Sequence, residues 1–148
     1  MEKILKLLHT VHAAAVPVFV AADSFVDGKA CAKCIIGSNF RRYILGRVEK
    51  DVEPAELRVH KLLVPASNKE IISELGGVYE TMLTHFFLLL VNNWSTGDPR
   101  DLRCPVISYI QGTKLFVRGL WLSDMLFVES SSPGSKNVWE PGPRIISL

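Results

Sequence analysis

The chain has 148 residues, of which 48% are hydrophobic and 22% charged, and its formal net charge at pH 7 is only +2. A chain of this length can bury a core of its own as one domain, and so small a net charge argues against the strongly basic surface of many nucleic-acid-binding proteins. The hydrophobic fraction lies at the apolar end of the range for globular domains, so we expect the excess apolar surface to form a ligand pocket or a subunit interface.

Residues 2–15 have the pattern of an amphipathic helix that ends before Pro17. Charged and histidine residues interrupt the apolar stretch that a secretory signal requires. No run in the chain reaches the roughly 20 apolar residues that span a bilayer. The sequence therefore predicts an N-terminal helix and no membrane segment, and its apolar face consists of Ile4, Leu5, Leu7, Leu8 and Val11.

Strand patterns follow in "VFVAA", in "KACAKCIIG" and "FRRYILGRVEKDV", and in "LRVHKLLV" at 57–64. Gly37 and its two successors join the middle pair as a predicted hairpin. On that predicted sheet, Arg41 and Arg42 interleave with Phe40 and Tyr43, as a platform for stacked bases would need. Nucleic-acid binding through this Arg41/Arg42 sheet face is a minor alternative.

Three cysteines are present, and two of them, Cys31 and Cys34, form a CxxC motif. A structural zinc site needs four ligands, and no second pair completes one. The odd count without dense spacing is typical of a reducing compartment. We therefore predict a cytoplasmic protein with no metal site and no cofactor.

The strongest local signal is a capping box, in which Ser67 is the N-cap and Glu70 the third helical residue. The helix that begins there ends at Gly76 and Gly77. A second, longer helix is predicted over 78–93. Its apolar residues cover more than half of its circumference, whereas an ordinary surface helix needs a stripe of about 100°. We expect an additional layer to cover it: the first helix, the C-terminal arm or a second copy of the chain.

Three strand patterns follow a loop at 95–101, in "CPVISYIQ", "KLFVRGLWL" and "MLFVES", and predict an antiparallel meander. Residues 131–148 are rich in Pro, Gly and Ser, yet contain Trp139 and Ile145. We predict one domain over 1–130 and an irregular C-terminal arm over 131–148, packed on the same or a neighbouring subunit.

The predicted fold class is α+β: a mostly antiparallel, curled sheet packed on one long central helix, with an N-terminal helix in addition. Cone-shaped folds of the nuclear-transport-factor and cystatin types share this outline. That analogy concerns topology alone and implies no function.

Candidate site residues come from the polar sector of the long helix and from aromatic side chains with a polar group. His85 is the candidate acid or base, with Glu80 as its partner, because a histidine pKa lies near neutral pH. The candidate ligand-binding residues are Thr84, His85, Trp94, Tyr109 and Trp121.

The sequence favours a non-enzymatic binding or interaction protein, with an apolar pocket or a homodimer face built on helix 78–93. The alternative is a hydrolase, lyase or isomerase that acts on a small substrate through His85 and Glu80. The expected partners are a second copy of the chain and a small apolar ligand.

Overall fold

The computed structural model describes residues 3–29, 33–96, 104–122, 125–134 and 138–148. The helices within these residues are α1 (Ala21–Ser24), α2 (Ser38–Tyr43), α3 (Asn68–Leu75) and α4 (Leu83–Thr96), with a 3-10 turn at Gly76–Val78. The strands are β1 (Leu5–Ala13), β2 (Val16–Val20), β3 (Lys33–Ile36), β4 (Val48–Val52), β5 (Ala55–Leu62), β6 (Ala66–Ser67), β7 (Glu80–Thr81), β8 (Val106–Ile110), β9 (Leu115–Leu122), β10 (Met125–Ser131), β11 (Val138–Trp139) and β12 (Arg144–Ser147).

One mixed sheet of eight strands dominates the fold. Its order is β1, β5, β12, β8, β9, β10 and β3, and β7 pairs with β8 as well. Most neighbours are antiparallel, whereas β8 is parallel to β12 and β7, and β10 is parallel to β3. The fold is therefore α+β with a large, mostly antiparallel sheet, as predicted. The helices are short, and neither the long central helix nor the cone-like outline is confirmed.

The first element is a strand, so the prediction of an N-terminal helix is wrong. β1 pairs with β5 at the edge of the sheet, and its register skips Leu8 as a bulge. Before the bulge Leu5 lies opposite Leu62, and after it Val11 lies opposite Leu57, in the other core. A bulge moves the inward side chains to the other face. This interrupts the two-residue period of a strand and leaves apolar spacings that resemble those of a helix.

The second predicted helix begins at Leu83 and not at 78. The preceding residues are extended because Glu80 and Thr81 pair with Tyr109 and Ile110 of β8. The capping box at α3 is confirmed: the Ser67 side chain accepts from the Glu70 N–H, and the Glu70 side chain accepts from the Ser67 N–H. The antiparallel meander of β8, β9 and β10 is confirmed as well.

Residues 38–43 form α2, where the sequence predicted part of a hairpin. The Glu129 carboxylate of β10 accepts a hydrogen bond of 3.0 Å from the Phe40 N–H in the first turn of this helix. Arg41 and Arg42 consequently lie on a helix, and the sheet face assigned to them for nucleic-acid binding does not exist there. A cap from a residue so distant in sequence leaves no local signal.

The region predicted as an irregular arm supplies two strands to its own chain. β11 pairs with β6, so that Trp139 lies opposite Ala66. β12 lies inside the main sheet, antiparallel to β5 and parallel to β8. Short Pro- and Gly-containing links around both strands explain why the composition resembles that of a loop.

Two cores lie on the two faces of the sheet. On one face α4 packs with Leu83, Phe86 and Leu90 against the strands. A second layer covers α4 from the other side, where Phe25 contacts Phe87 with ring centroids 5.2 Å apart. That layer consists of β2, α1 and α2 of the same chain, which are none of the segments expected from the sequence. The opposite face of the sheet packs against α3, β6 and β11.

Candidate functional site

A buried carboxylate, Glu49 of β4, holds the N-terminus of α4. It accepts hydrogen bonds from the Leu83 N–H at 3.0 Å, the Thr84 N–H at 2.8 Å and the Thr84 hydroxyl at 2.5 Å. The Arg47 Nε–H donates to it at 2.6 Å. Burial by itself raises the pKa of Glu49, but the hydrogen bonds from Thr84, Arg47 and Leu83 together hold it below its usual value. A negative charge at a helix N-terminus is also favourable, so this group acts as a structural cap.

His85 completes the same cap. Its Nδ1 accepts a hydrogen bond of 3.2 Å from the Met82 N–H, the role that Glu or Gln has in a capping box. The proton of the neutral ring therefore lies on Nε2, which is buried and has no partner among the described residues. Burial lowers the pKa of His85, and the charge of Glu49 opposes this effect only in part. His85 is thus a buried neutral imidazole that stabilises a helix end.

Glu80, the predicted partner of His85, lies on the other face of the sheet. It belongs to β7 and lines an open cavity of about 580 Å³ together with Tyr79, Tyr109 and Lys114. The carboxylate whose charge acts on His85 is that of Glu49. Thr84 serves the helix cap through its hydroxyl. His85 and Thr84 thus lie together at the N-terminus of α4, and the carboxylate beside them is that of Glu49 and not that of Glu80.

The aromatic candidates do not converge on one site. The Trp121 Nε1–H donates to the Leu90 carbonyl at 3.3 Å on the α4 face. The Tyr109 hydroxyl donates to Asn68 Oδ1 at 2.8 Å on the α3 face. Burial raises the pKa of Tyr109, which keeps the hydroxyl protonated. The side chain of Trp94 lies outside the described part of the structure.

A cavity of about 320 Å³ lies on the α3 face, between the strands β9 and β10 and the short strand β11. We call it the Asn68 cavity. Phe116 and Trp139 form its aromatic wall, with ring centroids 5.4 Å apart in an edge-to-face arrangement. Arg118 and Glu129 also line an adjoining cavity of about 320 Å³. That second cavity is more apolar, because its walls include Ile35, Leu120, Leu122 and Phe127.

Asn68 has a hydrogen-bonding group that the protein does not satisfy. Its Oδ1 accepts from the Trp139 Nε1–H at 2.9 Å and from the Tyr109 hydroxyl at 2.8 Å. An indole N–H can only donate, so the bond from Trp139 fixes the orientation of the amide. The NH₂ group is buried and has no partner among the described residues. Leaving such a group unmatched costs about 1–3 kcal/mol.

Two charged side chains stand opposite each other where the two cavities meet. Arg118 on β9 pairs in register with Glu129 on β10. Glu129 Oε1 accepts from the Phe40 N–H at 3.0 Å and the Ser130 N–H at 2.8 Å, so its charge is partly compensated. The Arg118 side chain is exposed, and no hydrogen bond or ion pair connects its guanidinium to any other described residue. The lining therefore contains a carboxylate, Glu129, that already accepts hydrogen bonds, and a guanidinium, Arg118, that makes none to the described residues.

The sequence missed Asn68, Arg118 and Trp139 as site residues. The capping box placed Asn68 at the first turn of a helix, but gave no indication that Trp139 would reach it from a distant strand. Trp139 did indicate that residues 131–148 pack against the rest of the chain, because a tryptophan is unusual in a free tail. Arg118 is an exposed residue within the otherwise apolar strand β9, and nothing in the neighbouring residues distinguishes it from an ordinary solvent-facing strand position.

Three further observations limit the chemistry of the described residues. No group of three His, Cys, Asp or Glu side chains among them could hold a metal ion. Cys31 of the CxxC motif lies outside the described ranges, and Cys34 lies on β3. Among the helices in these ranges, none has the length and apolar character that crossing a membrane requires.

Comparisons of the chain with protein-family models, with curated proteins and with solved structures found no match.

Proposed function

We propose that the protein is a non-enzymatic binding protein that takes a small, mainly apolar ligand into the Asn68 cavity. The observation that carries this proposal is the buried NH₂ group of Asn68, whose orientation Trp139 fixes and whose hydrogens have no acceptor among the described residues. A ligand that supplies an acceptor would remove the cost of this unmatched donor. Aromatic walls with a few positioned polar groups are typical of small-molecule sites.

This proposal moves the binding site away from α4, where the sequence suggested it. The aromatic layer of Phe19, Phe25 and Phe40 occupies the side of α4 that faces away from the sheet. The apolar excess of the helix is therefore matched within the chain. The Asn68 cavity, in contrast, remains open between the sheet and β11.

The test is ligand-observed NMR with a set of one-ring and two-ring compounds against wild-type protein and two variants. Ser131→Met fills the Asn68 cavity, which Ser131 lines, whereas Ser73→Met adds the same side chain to the exposed side of α3. We expect binding by wild type and Ser73→Met and loss of binding in Ser131→Met. Failure of every compound to bind wild type, or equal binding by Ser131→Met, contradicts the proposal.

A homodimer is a second proposal, and the adjoining apolar cavity supports it. Leu122 lines that cavity and is 44% exposed. Exposed apolar surface of this kind is a common centre of subunit contacts. Light scattering should then give a dimer mass for wild type and a monomer mass for Leu122→Lys. Val18→Lys is the matched control, because Val18 is 55% exposed on a different strand pair. A monomeric wild type contradicts the dimer.

The remaining alternatives have less support. An enzyme acting through His85 would need a ring nitrogen that a substrate can reach, yet Nδ1 accepts from the Met82 N–H, Nε2 is buried, and the neighbouring carboxylate, Glu49, caps α4. For nucleic acid, Arg41 and Arg42 offer one short helix, and retention on heparin that collapses with salt would be required. A cytoplasmic location rests only on the cysteine content and stays a proposal.

A further inference from the structure

We infer that the ligand of the Asn68 cavity is a flat ring compound that carries a single carboxylate. This inference rests on the proposed function and adds the chemical class of the ligand. It follows from three features of the cavity: the kind of polar group left unmatched, the charge at its margin, and the shape of its apolar wall.

Among the described residues that line the cavity, the buried polar atom left without a partner belongs to a donor, the Asn68 NH₂ group. Asn68 offers its NH₂ group, while its oxygen already accepts two hydrogen bonds. The Ser130 hydroxyl donates to the Phe116 carbonyl at 3.0 Å, and Glu129 Oε1 accepts two N–H groups. A ligand that satisfies the buried NH₂ group of Asn68 therefore places an acceptor there.

The charge at the margin of the cavity favours an anionic acceptor. The guanidinium of Arg118 is planar, and its paired N–H donors match the two oxygens of a carboxylate. Glu129 stands opposite Arg118 in register. A phosphate monoester carries about −1.5 to −2 charges at neutral pH, so Glu129 would repel it more strongly than a carboxylate. The pair of side chains thus favours a ligand with one negative charge.

The apolar wall favours a ring. Phe116 and Trp139 meet at an interplanar angle of 74°, and a third ring can pack against them edge-to-face or offset. A volume of about 320 Å³ lies at the small end of the range for ligand pockets. One or two fused rings fit this space better than a long acyl chain.

The experiment compares each carboxylate with its neutral amide of nearly the same shape. Dissociation constants are measured by isothermal titration calorimetry for benzoate and benzamide, phenylacetate and phenylacetamide, and indole-3-acetate and indole-3-acetamide, with phenyl phosphate as a further arm. The proteins are wild type, Arg118→Gln and Arg58→Gln. Arg58 is exposed on β5 of the same sheet and does not line the Asn68 cavity, so its variant controls for the change in net charge.

We expect at least one carboxylate to bind wild type and Arg58→Gln about tenfold more tightly than its amide, as one charge-assisted pair would give. Arg118→Gln should abolish that preference while leaving the affinity for the amide within about twofold. Because Arg118 is exposed, this variant should fold, and circular dichroism checks it. Equal binding of carboxylate and amide, a preference that survives in Arg118→Gln, or tighter binding of phenyl phosphate overturns the carboxylate inference and leaves the proposed function standing. Binding of none of the seven compounds overturns both.

Discussion

Glu49→Gln is the substitution that most directly tests how α4 is held in place. Glutamine keeps the size of the side chain but replaces one carboxylate oxygen with an NH₂ group. Glu49 accepts four hydrogen bonds, two on each oxygen. Whichever way the glutamine amide turns, two donors lose their acceptor, and the negative charge at the helix N-terminus disappears.

The expected loss of stability follows from these contacts. A hydrogen bond to a charged group contributes about 1.5–3 kcal/mol, so the loss of two should lower the free energy of unfolding by about 3–6 kcal/mol. Domains of this size are stable by only about 5–15 kcal/mol. Urea denaturation followed by circular dichroism at pH 7 measures the difference. Glu53→Gln is the control, since Glu53 is exposed beyond the end of β4, and it should change stability by less than about 0.5 kcal/mol.

The pH dependence provides an independent check. Because the hydrogen bonds hold the pKa of Glu49 below its usual value in the folded protein, its contribution is present at neutral pH and is lost as the pH falls through the folded-state pKa. The difference in the free energy of unfolding between wild type and Glu49→Gln should therefore become smaller in acid. A loss of unfolding free energy smaller than about 1 kcal/mol at pH 7, or a difference between the two proteins that becomes larger in acid, would refute the assignment of Glu49 as the cap of α4.

Three other predictions concern stability. Burial holds the pKa of His85 below its usual value, so wild-type stability should decline as the pH falls from about 7 to about 5; His85→Gln keeps an acceptor for the cap and should flatten that slope in denaturation curves. Gly37→Ala should cost about 1 kcal/mol, because a Cβ there would push the Glu129 carboxylate away from the Phe40 N–H that it caps, whereas Gly46→Ala meets open space and should be neutral or slightly stabilising in thermal melts. Deletion of residues 144–148 removes β12 from inside the sheet and should abolish cooperative unfolding, and a retained sigmoidal transition would contradict the sheet order.

Features encoded by neighbouring residues could be read from the sequence. The capping box of Ser67 and Glu70 needs only four consecutive residues, and the structure contains both of its hydrogen bonds. The meander of β8, β9 and β10 has the turns and alternation that such strands require. The sequence also placed His85 on α4 and recognised that this helix needed cover on two sides.

Features that depend on distant residues could not be read in this way. The start of α4 is set by Glu49, which lies 34 residues before Leu83 in the chain. The face of β1 changes at one unpaired residue, Leu8, which no periodic pattern represents. The Asn68 cavity exists because Trp139 reaches an amide 71 positions away. In each case the deciding contact is tertiary, and local propensity gives way to it.

The position of β12 has a consequence for how the chain reaches its native state. During synthesis, the antiparallel pair of β1 and β5 and the later meander of β8 to β10 can each form before β12 is made, but each leaves an unpaired strand edge until residues 144–147 insert between them. Chains with such unpaired edges are prone to aggregate by pairing with the strands of other chains. Final assembly is therefore a late, long-range closure, and it should be the slow phase of refolding.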